Sequence, residues 1–230
     1  MTVDRLRTYI RGLDEQLQGG VPRGHVVLIA GKPGTMKSSV AFNILYHNAR
    51  DERGGAYVTL EQGRESMLDN MAGMGMDIKG LEKNMSLLDL AMIRKKLKQL
   101  SKQSWIEVFK MYVNNLRKSM DIDLLAVDSL PVLQVMAKFE EPRDELFRFF
   151  EWLRDLDITT FLITEMKQDS DRFADHGEDF LSDGIVHLDL RREDRIVNLF
   201  LSVVKMRKTG HKRGYFPLIF VDGGFEIVTN

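Results

Sequence analysis

The amino-acid sequence predicts an α/β protein whose central, mostly parallel sheet is flanked by helices and extended by antiparallel strands near the C-terminus. Three observations lead to this fold class. Short apolar runs alternate with helical patterns between residues 25 and 165. A glycine-containing turn ending in Lys37-Ser38 joins the first apolar run to a helix, and strand patterns alone follow from Gly184 onward. Since the chain has 230 residues, we expect one domain covering residues 1–230.

The turn after the first apolar run predicts a phosphate-binding loop, or P-loop. His25–Ala30 is typical of a buried strand, and a helical pattern begins at Ser38. Backbone N–H groups in such a turn converge on a phosphate, and the helix N-terminus adds partial positive charge. Lys37 is placed to reach the β- and γ-phosphates of a nucleotide, and the Ser38 hydroxyl to bind magnesium. The nucleotide-binding residues predicted here are Gly31, Pro33, Gly34, Thr35, Met36, Lys37, Ser38 and Ser39.

Met36 occupies the position at which the usual motif, G-x-x-x-x-G-K-[ST], carries its second glycine. If this position requires a positive φ, methionine costs roughly 1–2 kcal/mol there. If its backbone is helical, the cost is small and the loop only gains a side chain. The sequence leaves both alternatives open, together with a degenerate loop that binds nucleotide weakly or only structurally.

The elements beyond the P-loop alternate up to residue 165. Strands are predicted at Ala56–Leu60, Met85–Leu90, Asp123–Asp128 and Thr159–Thr164, and helical regions at Arg64–Met74, Ala91–Met120 and Pro142–Leu156. The methionines at 67, 71 and 74 form a helical stripe that core packing explains. We interpret the basic run Arg94–Lys102 as a solvated helix face, with a nucleic-acid or partner surface as the alternative. After a loop or short helix at Lys167–Asp183, strands are predicted at 184–190, 195–206, 215–221 and 225–228, with turns at 192–194 and 222–224.

Two strands end in carboxylates, at the position where open parallel sheets bind their ligands. Asp128 is predicted to anchor a magnesium ion through its water ligands; the alternative is a helix-capping role. Glu61 is the candidate that polarises an attacking water; the alternative is an exposed carboxylate at a helix start. For Thr164 and Glu165, which end a further strand, sensing of the γ-phosphate and a structural role have equal weight.

Lys205 and Arg207 end the long strand pattern and project to the same side of it, since side chains alternate along a strand. Two cations placed in this way are able to enter the phosphate site of a neighbouring subunit, as arginine fingers do. From the spacing alone, surface charge at a strand end is the favoured interpretation.

Composition argues against several other kinds of site and location. The chain has no cysteine, so it has neither disulfides nor thiolate metal sites, which fits a reducing compartment such as the cytoplasm. Its five histidines show no metal-ligand spacing, so we expect no protein-bound zinc. The charged N-terminus and the lack of an apolar run of about 18 residues argue against a signal peptide and a membrane span. A net charge of −1 gives no general attraction to nucleic acid.

Several motifs, in order from about Arg11 to Val228, resemble the KaiC-type ATPase domains of the RecA superfamily. They are GLDEQLQGGVPRGHVVLIAGKPGTMKSS, AYVTLEQ, DLLAVDS, LSDGIVHLDLRR and VVKMRKTGHKRGYFPLIFVDGG. The resemblance implies a RecA-like core that uses ATP and Mg²⁺ and assembles as a homo-oligomer, commonly a hexameric ring with ATP between subunits. It also implies that the residues approaching the neighbouring subunit's nucleotide are Lys205, Arg207, Thr209 and His211. The predicted catalytic residues are Glu61, Lys37 and Arg207.

The chain departs from that family at further positions besides Met36. Gln62 stands where clock-type KaiC domains carry a second glutamate, so hydrolysis is expected to be slow. Asp179-Phe180 lies near the place of the Ser-Thr pair of the autophosphorylating domain, so we do not expect autokinase activity. We predict a slow ATPase acting as an oligomeric regulatory switch with an unidentified protein partner.

Archaeal RadA paralogues are equally compatible with these motifs. They give the alternative function, a recombinase paralogue that binds DNA or a recombinase in DNA repair. The segment Met166–Asp183 has two basic residues against six acids, in the region where recombinases bind DNA. Because phosphate contacts dominate affinity for nucleic acid, this segment predicts that any binding to single strands is weak.

Overall fold

The computed structural model describes residues 3–97, 104–193 and 195–229, and in these ranges the chain forms eleven strands and eight helices. The strands are β1 (Arg5–Leu6), β2 (Val21–Pro22), β3 (Val26–Gly31), β4 (Gly55–Thr59), β5 (Met85–Asp89), β6 (Leu124–Asp128), β7 (Thr159–Glu165), β8 (Gly184–Glu193), β9 (Ile196–Met206), β10 (Phe216–Val221) and β11 (Gly224–Ile227). The helices are α1 (Leu13–Gln16), α2 (Lys37–Arg50), α3 (Arg64–Gly73), α4 (Leu90–Leu97), α5 (Trp105–Ser119), α6 (Leu130–Ala137), α7 (Pro142–Asp155) and α8 (Glu178–Leu181). Within the same ranges, no helix combines the length and apolar character needed to cross a membrane.

A nine-stranded sheet organises the fold, with strand order β11-β10-β9-β8-β3-β7-β6-β4-β5. From β8 to β5 all neighbours are parallel, whereas β9, β10 and β11 are added antiparallel. Strand β3 is central, between β7 and β8. The small strands β1 and β2 form a separate antiparallel pair. The predicted fold class, a mostly parallel sheet with antiparallel C-terminal strands, is therefore confirmed.

Side chains of β3 alternate between two hydrophobic cores, one on each face of the sheet. Val27 and Ile29 belong to the core that contains the buried side of α2, whereas Val26 and Leu28 belong to the core formed with α6 and α7. A strand that is buried on both faces of a sheet has a continuous run of apolar residues, and β3 was predicted from such a run. Burying each such side chain contributes about 1.5–3 kcal/mol, so β3 gives the P-loop a firmly packed base.

The methionine stripe of α3 packs as expected. Met67 and Met71 are 0% and 4% exposed and lie in the core on the α2 face of the sheet. Met74, which follows the helix, packs against the same core. Core packing is thus confirmed as the reason for the three- and four-residue spacing.

Three parts of the chain differ from the sequence-based expectation. Helix α6 was not predicted, because its run LPVLQVMA is apolar without a clear helical period. The region expected to be helical from residue 91 to 120 contains two helices, α4 and α5, and the side chains of the basic run Arg94–Lys102 lie outside the described residues. The turn expected at 192–194 begins later, because Arg192 and Glu193 still pair with β9. The turn at Asp222-Gly223 is confirmed, with φ of 51° and 74°, the left-handed values that tight hairpins need.

Candidate functional site at the carboxyl edge of the sheet

The carboxyl ends of β3, β7, β6 and β4 lie side by side at one edge of the sheet. A cavity of about 230 Å³ is found there. Its lining residues come from the P-loop and from these strand ends: Pro33, Lys37, Ser38, Glu61, Asp128, Ser129, Ile163 and Glu165. The fold thus brings five predicted site residues, Pro33, Lys37, Ser38, Glu61 and Asp128, together at one place.

The P-loop backbone is held by hydrogen bonds of its own and by close packing. The Thr35 hydroxyl donates to the Lys32 carbonyl at 2.8 Å, and Thr35 is fully buried. Gly31 has no room for a side chain, because a Cβ there would lie 2.5 Å from the Thr35 hydroxyl oxygen and 2.6 Å from the Leu188 carbonyl oxygen. Gly34 has a φ of 84°, in the left-handed region that favours glycine. The shape of the loop therefore depends on these two glycines.

Met36 has φ 60° and ψ 27°, in the left-handed region. The position therefore requires a positive φ, and methionine costs roughly 1–2 kcal/mol there. The Met36 side chain packs against the core on the α2 face, which offsets part of this cost. The loop thus keeps a backbone suited to glycine although glycine has been replaced.

Replacing Met36 by Gly is expected to leave ATP affinity unchanged or to raise it, because glycine accepts the same backbone conformation. The free energy of unfolding should change by about 1 kcal/mol or less, since relief of strain opposes the loss of burial. Met36→Ala is the matched control, because it loses the side-chain packing but keeps the strain; it should be less stable than Met36→Gly. Thermal unfolding and titration with a fluorescent ATP analogue measure the two quantities. Weaker ATP binding by Met36→Gly would contradict the view that methionine is merely tolerated.

Lys37 begins α2, and its Nζ donates to the Lys32 carbonyl across the loop at 3.0 Å. Burial lowers its pKa, and the carboxylates of Glu165, Asp128 and Glu61 act in the opposite direction. The ammonium group is thus partly removed from water and lies near three acids. Because charges interact more strongly away from bulk water, it is well suited to bind phosphate oxygens.

Asp128 is 7% exposed and accepts a hydrogen bond from the Tyr57 hydroxyl at 2.7 Å. The pKa of this carboxyl lies above its usual value, because burial raises it by more than the hydrogen bonds from Tyr57 and Ser38 lower it. Ser38 and Asp128 are therefore neighbours that offer oxygen donors, the type that Mg²⁺ prefers beside water and phosphate oxygens. This donor set fits a nucleotide-bound magnesium ion. Among the described residues, no group of three or more His, Cys, Asp or Glu is arranged to hold a metal.

Glu61 lies two residues after the end of β4, in the short turn that leads to α3. The Thr59 hydroxyl oxygen accepts from the Gln62 N–H at 3.2 Å, and the hydroxyl donates to the Gln62 carbonyl at 2.7 Å, which fixes this turn. The Ser129 hydroxyl donates to Glu61 Oε1 at 2.5 Å. The Glu61 carboxylate is thus tied to the end of β6 and lines the same cavity as Lys37.

A second cavity, of about 470 Å³, adjoins the P-loop on the side of α3. Its lining consists of P-loop residues, Gln62 and part of α3 with the residue that follows it: Gly34, Thr35, Met36, Lys37, Ser38, Ser39, Gln62, Asn70, Met71 and Met74. Two methionines of the α3 stripe thus line this cavity as well as packing in the core. A partly apolar cavity next to a phosphate-binding loop is suited to the base and sugar of a nucleotide.

Lys205 and Arg207 lie at the opposite edge of the sheet from the P-loop. Strand β9 runs antiparallel to β8, so its end pairs with Gly184, which itself pairs with Val27 near the start of β3. The P-loop begins at Gly31, about 13 Å further along β3 at roughly 3.3 Å per residue. Both side chains are also bound to groups at their own edge. Neither cation therefore serves the P-loop of this chain.

Thr209 follows the two cations along the chain, and His211 lies two residues further on. The Thr209 hydroxyl oxygen accepts from the Arg5 guanidinium at 2.9 Å, and His211 Nδ1 lies 3.3 Å from the Lys212 carbonyl oxygen. The contacts of Thr209 and His211 are thus with residues outside the P-loop.

The acidic segment Met166–Asp183 is less uniformly solvated than its composition suggests. Glu178 and Asp183 are buried, at 3% and 7% exposure. Glu178 accepts hydrogen bonds from the Gln134 side chain at 2.7 Å and from the His176 N–H at 2.8 Å. The exposed acids of the segment are Asp169, Asp171 and Asp175, with Asp179 half-buried. Two of the six acids are therefore buried with hydrogen-bond partners, and Asp175 is paired with Lys167 at 2.9 Å, so the surface is less negative than the count implied.

Sequence reasoning assigned no role to Tyr57 or Ser129, which contact the two site carboxylates. The available signals were weak: Tyr57 has a polar tip in an otherwise apolar strand, and Ser129 directly follows Asp128. Neither signal identifies the partner, because β4 and β6 become neighbours only in the folded sheet.

Three comparisons place these features among known proteins. A family model described as "ATPase: KaiC" matches residues 6–230. The circadian clock oscillator protein KaiC of Picosynechococcus is 28% identical over 98% of this chain, which spans 44% of that protein's length. A UPF0273 protein from Aeropyrum pernix is 29% identical, with 98% of this chain and 94% of that protein covered. The crystal structure of KaiC-like protein PH0186 from Pyrococcus horikoshii matches with a TM-score of 0.84 at 26% identity, covering 99% of this chain and 100% of that one.

Proposed function

This chain belongs to the KaiC family of ATPases, and from this premise we propose that it binds ATP with magnesium and hydrolyses it slowly, as an oligomeric regulatory switch. The observation that carries the proposal is the convergence of Lys37, Ser38, Glu61 and Asp128 on one cavity at the P-loop. These groups are the parts that phosphoryl transfer to water requires: a cation for the phosphates, oxygen donors for the metal and a carboxylate for the water.

Each group has a distinct role in the proposed reaction. Lys37 binds the β- and γ-phosphates, and Ser38 and Asp128 would hold the magnesium ion, Asp128 through a water. The ion would supply positive charge that neutralises the charge developing on the phosphates. Glu61 orients the water whose oxygen attacks the γ-phosphorus as the bond to the β-phosphate oxygen breaks, and its carboxylate accepts the water's proton. Ser129 keeps Glu61 in place through its hydrogen bond.

The rate is proposed to be slow because this turn carries a single acid. Gln62 has no acidic group, and its side-chain amide donates to the Ser66 hydroxyl at 2.8 Å on α3. It therefore supplies no second base beside Glu61. The base and sugar of ATP are proposed to occupy the cavity lined by Met71 and Met74, since it adjoins the phosphate loop.

The functional unit is proposed to be a homo-oligomer, a hexameric ring in which ATP lies between subunits. Support comes from Lys205 and Arg207, which lie too far from their own P-loop to contact its nucleotide. In a ring, the edge carrying these cations would face the P-loop edge of the next subunit, where they would stabilise the transferring phosphoryl group. Thr209 and His211 would accompany them.

We further propose that residues 1–230 form one domain and that the protein acts in the cytoplasm with a protein partner. The nine-stranded sheet supports the first point, and the absence of cysteine is the observation that supports a reducing compartment such as the cytoplasm. The relatives reported above are a clock protein, a UPF0273 protein and a KaiC-like protein, and they do not favour the recombinase alternative.

Replacing Glu61 by Gln tests the assignment of the base. ATP hydrolysis should fall about 10²–10⁴-fold, the usual contribution of a positioned general base, while ATP binding changes little. Glu65→Gln is the matched control, because it makes the same change at an exposed carboxylate in the first turn of α3. Single-turnover hydrolysis and equilibrium nucleotide titration separate the two effects. Hydrolysis at the parental rate in Glu61→Gln would reject Glu61 as the base.

A further inference from the structure

The Arg207 guanidinium is held by a carboxylate that is already fixed by other groups. Arg207 donates from Nη1 to Asp183 Oδ1 at 2.6 Å. Asp183 Oδ2 accepts from the Val26 N–H at 3.1 Å and from Arg154 Nε at 3.3 Å. Arg154 is itself bound to the Leu181 carbonyl, so the carboxylate is secured from behind by β3 and α7.

The two side chains of the Arg207–Asp183 ion pair differ in their exposure to solvent. The Asp183 side chain is 10% exposed, whereas that of Arg207 is 50% exposed. Burial raises the pKa of the Asp183 carboxyl, but hydrogen bonds from Val26 and Arg207 and the charge of Arg154 outweigh it, so the pKa lies below its usual value. Asp183 is thus an ionised group with two protein partners besides Arg207. It does not require Arg207 in order to be buried, and the fixed member of the pair is the carboxylate.

Lys205 is held at the same corner of the fold. Its Nζ donates to the carbonyls of Ser182 and Asp179 at 2.6 and 2.9 Å. The two cations are therefore fixed side by side by residues 179–183, which comprise most of α8 and its connection to β8. A guanidinium has five N–H donors in a rigid fork, so one bond to Asp183 leaves donors of Arg207 available for a further anion.

We propose that Asp183 is a positioning residue for hydrolysis in the neighbouring subunit: its fixed carboxylate aims the exposed Arg207 guanidinium at that subunit's phosphates. This inference rests on the proposed function of Arg207 across the subunit boundary. Without Asp183, the long arginine side chain samples many rotamers, and a misplacement of about 1 Å is able to cost on the order of 10²-fold in rate. The Asp183 side chain is 10% exposed and bonded to Val26, Arg154 and Arg207, so it is placed to act through Arg207.

The test uses mixed assemblies of full-length variants. Asp183→Asn should lower the rate of ATP hydrolysis about 10- to 100-fold, while its affinity for a fluorescent ATP analogue stays within about twofold. An Asp183→Asn subunit keeps an intact P-loop but presents a misplaced Arg207. Mixed with Lys37→Ala, which lacks a working P-loop but keeps Arg207, it should recover activity. Mixed with Arg207→Ala, it should not, because neither subunit supplies a well-placed arginine.

The outcomes separate the positioning role from its premise. Lys37→Ala mixed with Arg207→Ala is the control for action across the boundary. With subunit exchange demonstrated, no recovery there overturns the proposed action of Arg207 across the boundary, and this inference with it. If hydrolysis returns in that control and also in the mixture of Asp183→Asn with Arg207→Ala, only the positioning role of Asp183 is overturned. The positioning role would also be overturned if Asp183→Asn assemblies hydrolysed ATP faster than the parent, because the ion pair with Asp183 would then keep Arg207 away from the neighbouring phosphates.

A second variant covers a failure of Asp183→Asn to fold. Asp183→Glu keeps the charge but moves the carboxylate by one methylene group. In mixtures with Arg207→Ala subunits, where Asp183→Glu must supply the arginine, the recovered hydrolysis rate should be several-fold lower than with parental Arg207. In mixtures with Lys37→Ala subunits, where Asp183→Glu supplies the P-loop, the recovered rate should be unimpaired. If Asp183→Glu supplies Arg207 to Arg207→Ala subunits as well as the parent does, the position of the carboxylate does not matter and the inference is wrong.

Discussion

Replacing Lys37 by Ala is expected to weaken ATP binding about 10- to 100-fold, because a hydrogen bond to a charged group is worth about 1.5–3 kcal/mol and 1.4 kcal/mol corresponds to a factor of ten. Lys37 is the cation at the start of α2, partly removed from water among three carboxylates. Without its charge those carboxylates would face the phosphates directly, so the loss should lie toward the upper end of this range. Equilibrium titration with a fluorescent ATP analogue measures the change.

Two controls make this result specific. Lys83→Ala removes the same charge from an exposed position outside the site and should leave ATP affinity unchanged. Thermal unfolding should show that Lys37→Ala is folded, since its Nζ makes one hydrogen bond to the Lys32 carbonyl. Parental affinity in Lys37→Ala would reject the assignment of residues 31–38 as a working phosphate-binding loop.

Replacing Arg207 by Ala is expected to reduce ATP hydrolysis on the order of 10³–10⁵-fold while affecting ATP binding less than Lys37→Ala does, because an arginine finger acts mainly on the transition state. Since Arg207 lies at the sheet edge opposite its own P-loop, the loss should be repaired by a different subunit. A mixture of Lys37→Ala and Arg207→Ala contains interfaces that join an intact P-loop to an intact Arg207. Those interfaces should restore part of the hydrolysis rate.

The mixing experiment depends on subunit exchange, which fluorescence transfer between labelled subunits measures independently. The expected result is no activity in either variant alone and clear activity after exchange. If exchange occurs and no activity returns, Arg207 does not act across a boundary. The structure then leaves it as a surface cation paired with Asp183, because its distance from the P-loop of its own subunit excludes the other role.

Local patterns were sufficient to predict most of the fold. An apolar run buried on both faces predicts β3, and a glycine turn followed by Lys-Ser predicts the P-loop and the start of α2, because these features arise from residues close in sequence. Helix α6 was missed because a short apolar run carries no period that separates helix from strand. The same limit applies to the bounds of β8, whose polar end still pairs with β9.

The sequence by itself determined which residues are candidates for the proposed ATP hydrolysis: Lys37, Ser38, Glu61 and Asp128 each stand near a strand end or at a helix start, where local pattern gives their position. Only the tertiary structure decided which of them meet and what holds them. Strand order placed β4 beside β6, so that Ser129 contacts Glu61. The reversal of chain direction in β9 carried Arg207 to the edge opposite the P-loop, onto Asp183, 24 residues earlier in the chain. Contacts between distant residues depend on strand pairing across the whole sheet, and no local period of the sequence encodes that pairing.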